Sequence, residues 1–266
     1  MPLDGTTALS ALRAAQRSLD VVAQNVANAN TPGYTRQRAE LQSVSGTDGP
    51  LRSQIGRGVQ AVEVSRAADR LVEGRLNTAR ADAGEAGVLA AQLREAEGVF
   101  GGPDTGIGVA LSDFFATAQT LSARPDDVAA RETFLARAEV LAADFRGVAG
   151  SLGEQRASLR LGVEDTVDQV NRAASEIVQL NDEIRAAKIS GRNANELLDR
   201  RDQLAGELSQ LAGVSTNEQR DGTMTVRMGS FALVTGSSAR PLTTDGSGGL
   251  LDAASGSSVA ATGGKL

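Results

Sequence analysis

The side chains able to do acid–base chemistry here are carboxylates and little else. The 266 residues include 33 Asp and Glu but neither His nor Cys. Without His, the usual near-neutral general base and the commonest transition-metal ligand are missing. Without Cys there is no thiolate nucleophile, disulfide framework or Cys-ligated zinc. Paired carboxylates could serve hydrolysis, but Glu95-Ala-Glu97 and Asp126-Asp127 fall on the solvated faces or starts of helical patterns. Solubility and capping account for them. No G-x-S-x-G elbow, S-x-x-K motif or Asp-rich calcium loop is present. Gly56-Arg-Gly58-Val-Gln-Ala61 formally fits G-x-G-x-x-A. A strand-like piece follows it where a dinucleotide fingerprint needs a helix, so it is read as a turn. The expectation is a non-enzymatic chain with no cofactor and no metal.

Composition points the same way. Apolar residues make up 41% but aromatics only 3%, with no Trp. Ala, Leu and Val must then fill the interior, which favours close-packed helices over a sandwich. A formal charge of −6 argues against nucleic-acid binding. Lys188 and Lys265 are the only lysines, a bias read as genomic composition. Met1-Pro-Leu-Asp-Gly-Thr lacks the basic and apolar regions of a cleavable secretory signal, and no run of about 18 apolar residues could span a membrane.

The elements that would position any site are mostly helical. The first helix is expected from about Thr6 to Ala29, capped by Thr6 or Thr7 and stopped by Thr31-Pro32-Gly33. Its apolar positions Ala8, Leu12, Ala15, Leu19, Val22, Val26 and Ala29 alternate steps of four and three. That 3.5-residue repeat makes a narrow seam suited to a coiled-coil partner. From Tyr34 to about Val64, with Pro50 and Gly46, Gly49, Gly56 and Gly58, the chain reads as a linker with some strand character. Helical seams return at Val72–Phe100, Leu111–Leu121, Phe134–Val148, Val163–Ile184 and Leu197–Leu211. Asp126 or Asp127 can cap the third of these, and Asn193 with Glu196 resembles a capping box. Asn181 sits on a seam, where it either fixes register from within or faces solvent. Beyond Gly213 the period becomes two. Asp221-Gly222 marks a hairpin, Met224, Val226 and Met228 its return strand, and Phe231–Val234 the next strand. The Gly/Ser/Ala-rich tail from Thr243 reads as flexible or as an interrupted domain. The predicted fold is mainly α: an elongated antiparallel bundle with heptad seams, an N-terminal helix on a linker, and a small β-hairpin region at the C-terminal end. The expected divisions are residues 1–62, 63–212 and 213–266.

The string Ala23-Gln-Asn-Val-Ala-Asn-Ala-Asn-Thr-Pro-Gly-Tyr34-Thr-Arg-Gln37, with Ala8–Gln16 before it, resembles the N-terminal signature of flagellar axial proteins. Its Gly33–Gln37 continuation resembles the hook-associated protein 1 family. So do Leu111-Ser-Asp-Phe-Phe115, Leu180-Asn-Asp-Glu-Ile184 and Glu196-Leu-Leu-Asp-Arg-Arg-Asp-Gln-Leu204, in order over roughly residues 5 to 245.

That resemblance implies a structural subunit of the bacterial flagellum, exported without a cleaved signal and polymerised at the hook–filament junction. Implied partners are other copies of itself, hook protein, a second junction protein next to the filament and the export apparatus. The implied assembly interface comprises Leu12, Ala15, Leu19, Val22 and Val26, with Asn28, Thr31, Gly33 and Tyr34 of the signature. Full members end in a helix that pairs with the N-terminal one and another that returns to the bundle. Nothing after Thr243 supplies either, so a fragment or truncated product is expected. The alternatives are a rod or hook protein, whose body is usually β-rich, and a cytoplasmic helical adaptor.

Overall fold

The computed structural model describes residues 5–45, 58–102 and 104–266. The chain opens with α1 (Gly5–Ala27), β1 (Gln37–Ser43) and β2 (Val59–Arg66). Helices α2 (Arg70–Phe100), α3 (Ile107–Ala123), α4 (Val128–Ile189) and α5 (Asn195–Ala212) follow. Next come β3 (Ser215–Glu218), β4 (Met224–Met228), β5 (Phe231–Thr235) and β6 (Ser238–Ala239) in one antiparallel sheet. A second sheet holds β7 (Leu242–Thr244), β8 (Leu250–Asp252) and β9 (Ser258–Val259). The mainly α architecture with a small β region at the C-terminal end is as expected, with several differences in detail.

The expected linker is in part a hairpin. Strands β1 and β2 pair antiparallel from Gln37↔Arg66 to Ser43↔Val59, with a bulge at Glu40/Leu41. Few apolar residues are needed, because α1 covers one side of the ladder. The expected boundary at 62/63 falls within β2, and that at 212/213 falls at the end of α5. Gly46, Gly49, Pro50, Gly56 and the first four residues lie outside the described residues. Thr6 and Thr7 lie inside the first turn of α1 and do not flank it.

Two of the expected helices are one. Helix α4 runs unbroken for 62 residues, about 93 Å at 1.5 Å per residue. Between Val148 and Val163 there is no Pro, and each Gly costs a helix only about 1 kcal/mol. Asp127 is its cap, accepting from the amides of Ala129 and Ala130. The capping box before α5 does not form: Ala194 is the N-cap, and Asn193 Oδ1 accepts from Asn195 N at 2.7 Å.

The core gathers at the C-terminal end of α4. Val170, Ala174, Ile177 and Ile184 meet Leu204 and Leu208 of α5, Val226 and Met228 of β4, and Leu233 and Val234 of β5. Strand β4 buries Met224, Val226 and Met228 in the expected alternation. The tail is ordered: β7 packs on α4, and Lys265 N donates to Leu211 O at 2.8 Å. The far half of α4 is different. There α3 packs against it with no fully buried residue, and Leu141 is the sole buried hydrophobic before Val167. Val72, Leu76, Leu93, Phe100, Leu111 and Phe145 are exposed, against the expectation that their seams are core.

Asn181 is fully buried, which decides between its two readings. Its Nδ2 donates to Met224 O (2.9 Å) and Gly236 O (2.8 Å). Its Oδ1 accepts from Met224 N (2.8 Å) and from Nη1 of the buried Arg201 (3.2 Å). Burial lowers the pKa of Arg201; Asp202 and Glu218 partly oppose that shift.

Candidate functional site

Helix α1 has one packed face and one open face. Ser10, Ala14, Ser18, Val21, Asn25 and Asn28 recur every three or four residues and are the buried or half-buried side, laid on the β1–β2 hairpin. Small residues permit the close approach. Val59 N donates to Ser10 Oγ at 3.2 Å, and a Cβ on Gly58, at φ +104°, would lie 2.0 Å from that oxygen. Leu12, Ala15, Leu19, Val22 and Val26 lie about a third of a turn away. All five are exposed, with Leu19 at 68% and Val26 at 72%. The helix thus docks by a face of small and polar residues around the buried Ala14 and Val21 and leaves its apolar heptad seam in water.

Past Ala27 the signature builds a turn. Asn28 Nδ2 donates to Gln24 O at 3.0 Å, and Thr31 Oγ1 donates to Asn28 Oδ1 at 3.3 Å. Gly33, at φ +81°, lies against Gln203 of α5. The Tyr34 hydroxyl donates to Asn25 Oδ1 at 2.9 Å. Burial raises the Tyr34 pKa, helped by the carboxylates of Asp199 and Glu196.

The strands then meet α5 through polar groups. Arg66 Nη1 donates to Asp199 Oδ1 (2.7 Å) and Asp202 Oδ2 (2.8 Å), while Thr35 N donates to Asp199 Oδ2 (3.2 Å). Asn195 Nδ2 donates to Val64 O (2.8 Å) and Gln37 Oε1 (3.1 Å). Burial works against the Arg66 charge, but the two carboxylates outweigh it and hold its pKa above the usual value. A cleft of about 470 Å³ opens beside this joint, lined by Tyr34, Glu73, Asp199 and Asp202 among others. Burial, and then Asp202, raise the Glu73 pKa. Among the described residues no three His, Cys, Asp or Glu are grouped to hold a metal ion, and no helix is long and apolar enough to cross a membrane.

The structure therefore brings together Leu12, Ala15, Leu19, Val22 and Val26 on one open face. It sets Asn28 and Thr31 in the turn at its end, and turns Gly33 and Tyr34 inward to α5 and Asn25. Sequence reasoning did not single out Asn25, Arg66, Asn195, Asp199 or Asp202. Asn25 lies in the signature string, and Asp199 and Asp202 lie in the Glu196–Leu204 string, so those three carried a signal. Arg66 carried none.

The family model described as the flagellar hook-associated protein FlgK helical domain matches residues 93–265. The model for the flagella basal body rod protein matches residues 6–35, which are α1 and its turn. Flagellar hook-associated protein 1 of Escherichia coli is 32% identical over 88% of this chain and 43% of its own length. The protein of the same name from Bacillus subtilis is 32% identical over 81% of this chain and 44% of its own. The solved structure of the flagellar hook junction protein FlgK from Burkholderia pseudomallei aligns with a TM-score of 0.58 at 30% identity. The alignment covers 64% of this chain and 30% of that one. The chain spans less than half the length of these curated relatives.

Proposed function

The chain belongs to the family of the flagellar hook-associated protein FlgK helical domain, and from that premise we propose that it is a non-enzymatic structural subunit of the bacterial flagellum, polymerising at the hook–filament junction. The observation that carries the reading is the orientation of α1, which is docked by its small polar side with Leu12, Leu19, Val22 and Val26 left in water. Four large aliphatic side chains in a heptad seam gain little on a free monomer. Against a neighbouring helix each would contribute about 1.5–3 kcal/mol of burial.

In this reading residues 1–62 are the inner axial part, 63–212 the surrounding helical part, and 213–266 the start of an outer part. The seam residues meet other copies. Asn28, Thr31, Gly33 and Tyr34 fix the direction in which the chain leaves the axial helix. Hook protein and the second junction protein are the neighbours along the axis, and the flagellar export apparatus delivers the subunit without a cleaved signal. The rod-protein match ends with the turn after α1, whereas the helical-domain match spans the body. That favours a junction subunit over a rod or hook protein.

Antibody labelling of flagella sheared from cells carrying the full-length protein tests this. Label confined to the boundary between hook and filament is expected. Strict cytosolic retention would point to an adaptor and contradict the reading; label along the rod or the whole hook would point to a rod or hook protein.

A further inference from the structure

Helix α2 leaves its large apolar side chains in water, with Val72, Leu76, Leu89 and Leu93 all exposed. Its buried residues are Ala81 and Gly84, one turn apart on one face. Both lie where α2 crosses the C-terminal end of α5 and where residues 262–266 pass between them. Before that point Glu73, Asn77 and Arg80 share the lining of the 470 Å³ cleft with Gln203 and Glu207 of α5. The other ties of α2 include a surface ion pair of Arg70 with Glu218, which adds little. Farther along, Gln155 Nε2 donates to Gln92 O at 3.1 Å.

The crossing is tight because it is built of glycine. A Cβ on Gly84 would lie 2.4 Å from Gln210 O and 3.4 Å from Gly264 Cα. A Cβ on Gly264, at φ +83°, would lie 2.6 Å from Ala212 N. Three stretches of main chain thus meet where side chains would hold them apart. Residues 262–266 bond to both helices. Gly264 N donates to Ala81 O at 3.3 Å, and Lys265 N and Leu266 N donate to Leu211 O at 2.8 and 3.0 Å. Leu211 O is one of the α5 carbonyls that helix geometry leaves without a partner. Thr262 Oγ1 donates to Gly213 O at 2.8 Å, and Leu266 packs against the core.

We propose that residues 262–266 are a strap that seats α2 on α5 at this glycine crossing, and that displacing the strap releases α2 while the core stays folded. The core cluster draws on α4, α5 and the strands after α5 and, among the described residues, on none of α2. A released α2 keeps no packed face, and a helix without one frays in water. The seat makes no use of α1 or of its seam.

Hydrogen exchange read by mass spectrometry in the 266-residue chain tests this. Gly84→Ala wedges the crossing and Gly264→Val displaces the strap. Gly87→Ala is the control on the same helix, where a Cβ would meet nothing within 4 Å. Helix propensity favours Ala equally at 84 and 87, so opposite responses isolate the crossing. Exchange across α2 should be protected in the parent and about tenfold or more faster in Gly84→Ala and Gly264→Val. It should be unchanged or slower in Gly87→Ala, and β4, β5 and α4 beyond Val167 should keep the protection of the parent. Parent-like exchange of α2 in either crossing variant, or an unprotected α2 in the parent, overturns the strap. Equal acceleration in Gly87→Ala overturns the role of the crossing. Core exchange that rises with that of α2 in Gly84→Ala, the milder variant, overturns the separate release of α2.

Discussion

Asn25 and Gln37 exchange two hydrogen bonds: Asn25 Nδ2 donates to Gln37 O at 2.7 Å, and Gln37 N donates to Asn25 Oδ1 at 2.8 Å. The amide thus imitates a strand neighbour at the start of β1. The same device recurs on α4, where Asn171 pairs with both main-chain groups of Leu242 and Asn181 with those of Met224. At each site an asparagine fastens a strand to a helix. Asn25→Ala should leave the buried Gln37 amide without a partner, a loss of about 1–3 kcal/mol. Hydrogen exchange at Gln37 should accelerate to match, with α5 unaffected. Unchanged exchange would mean the clamp is dispensable.

Asn181→Ala strands more. It orphans the main chain of Met224, the carbonyl of Gly236 and part of the buried Arg201 guanidinium. Leaving such buried groups unpaired should cost at least about 2 kcal/mol. Denaturant unfolding should show a lower midpoint at unchanged slope. A change below about 0.5 kcal/mol, the scatter of ordinary surface substitutions, would contradict the network.

Leu141 and Phe145 are four residues apart on one seam of α4, yet Leu141 is buried and Phe145 is 53% exposed. Leu141→Ala should cost about 2–3 kcal/mol, the low end for a buried leucine beside solvent. Phe145→Ala should cost under about 1 kcal/mol in the monomer, having little burial to lose. Equal, large losses in chemical denaturation would show that the half-open face is core.

Asp252 is held at a pKa of about 2 by the Ser255 hydroxyl and the Arg240 guanidinium, with the Ala254 amide assisting. Its folded pKa lies below the ordinary value of about 3.9. The stability it contributes is therefore present above about pH 4 and lost as pH falls towards 2. Asp252→Asn should melt lower than the parent at pH 6, and the gap should shrink between pH 4 and 2. A gap that widens on acidification would reverse the assigned sign.

The sequence showed some of this and hid the rest for physical reasons. The α1 seam, the alternation of Met224, Val226 and Met228, and the Gly213 stop were visible because periodicity and turn chemistry are local. Gly213 does end α5 in the left-handed conformation. The fusion of two expected helices into α4 was hidden because the seam passes through Gln155 and Gly162 and shifts phase before Val163, so it reads as two segments although no Pro breaks the helix. The β1–β2 pairing joins residues more than fifteen apart through main-chain bonds that leave no pattern in side-chain type. Arg66 on Asp199 and Asp202 is a contact across more than 130 positions. Of the site, the seam was legible but not the side on which α1 docks, since Ser10, Ser18 and Asn25 read as an ordinary polar face.

As proposed, the α1 seam serves assembly and not folding. It is tested most directly by Leu19→Asp with Val26→Asp in a full-length protein carrying this N-terminus. Both side chains are exposed, so the monomer should melt within a few degrees of wild type, as surface changes do. Against a neighbouring helix the two unpaired carboxylates would cost several kcal/mol, and electron microscopy should show hooks without filaments. Arg13→Asp with Arg17→Asp, off the seam, should be milder. Normal filaments from the seam variant, or a large drop in its monomer melting temperature, would contradict the account.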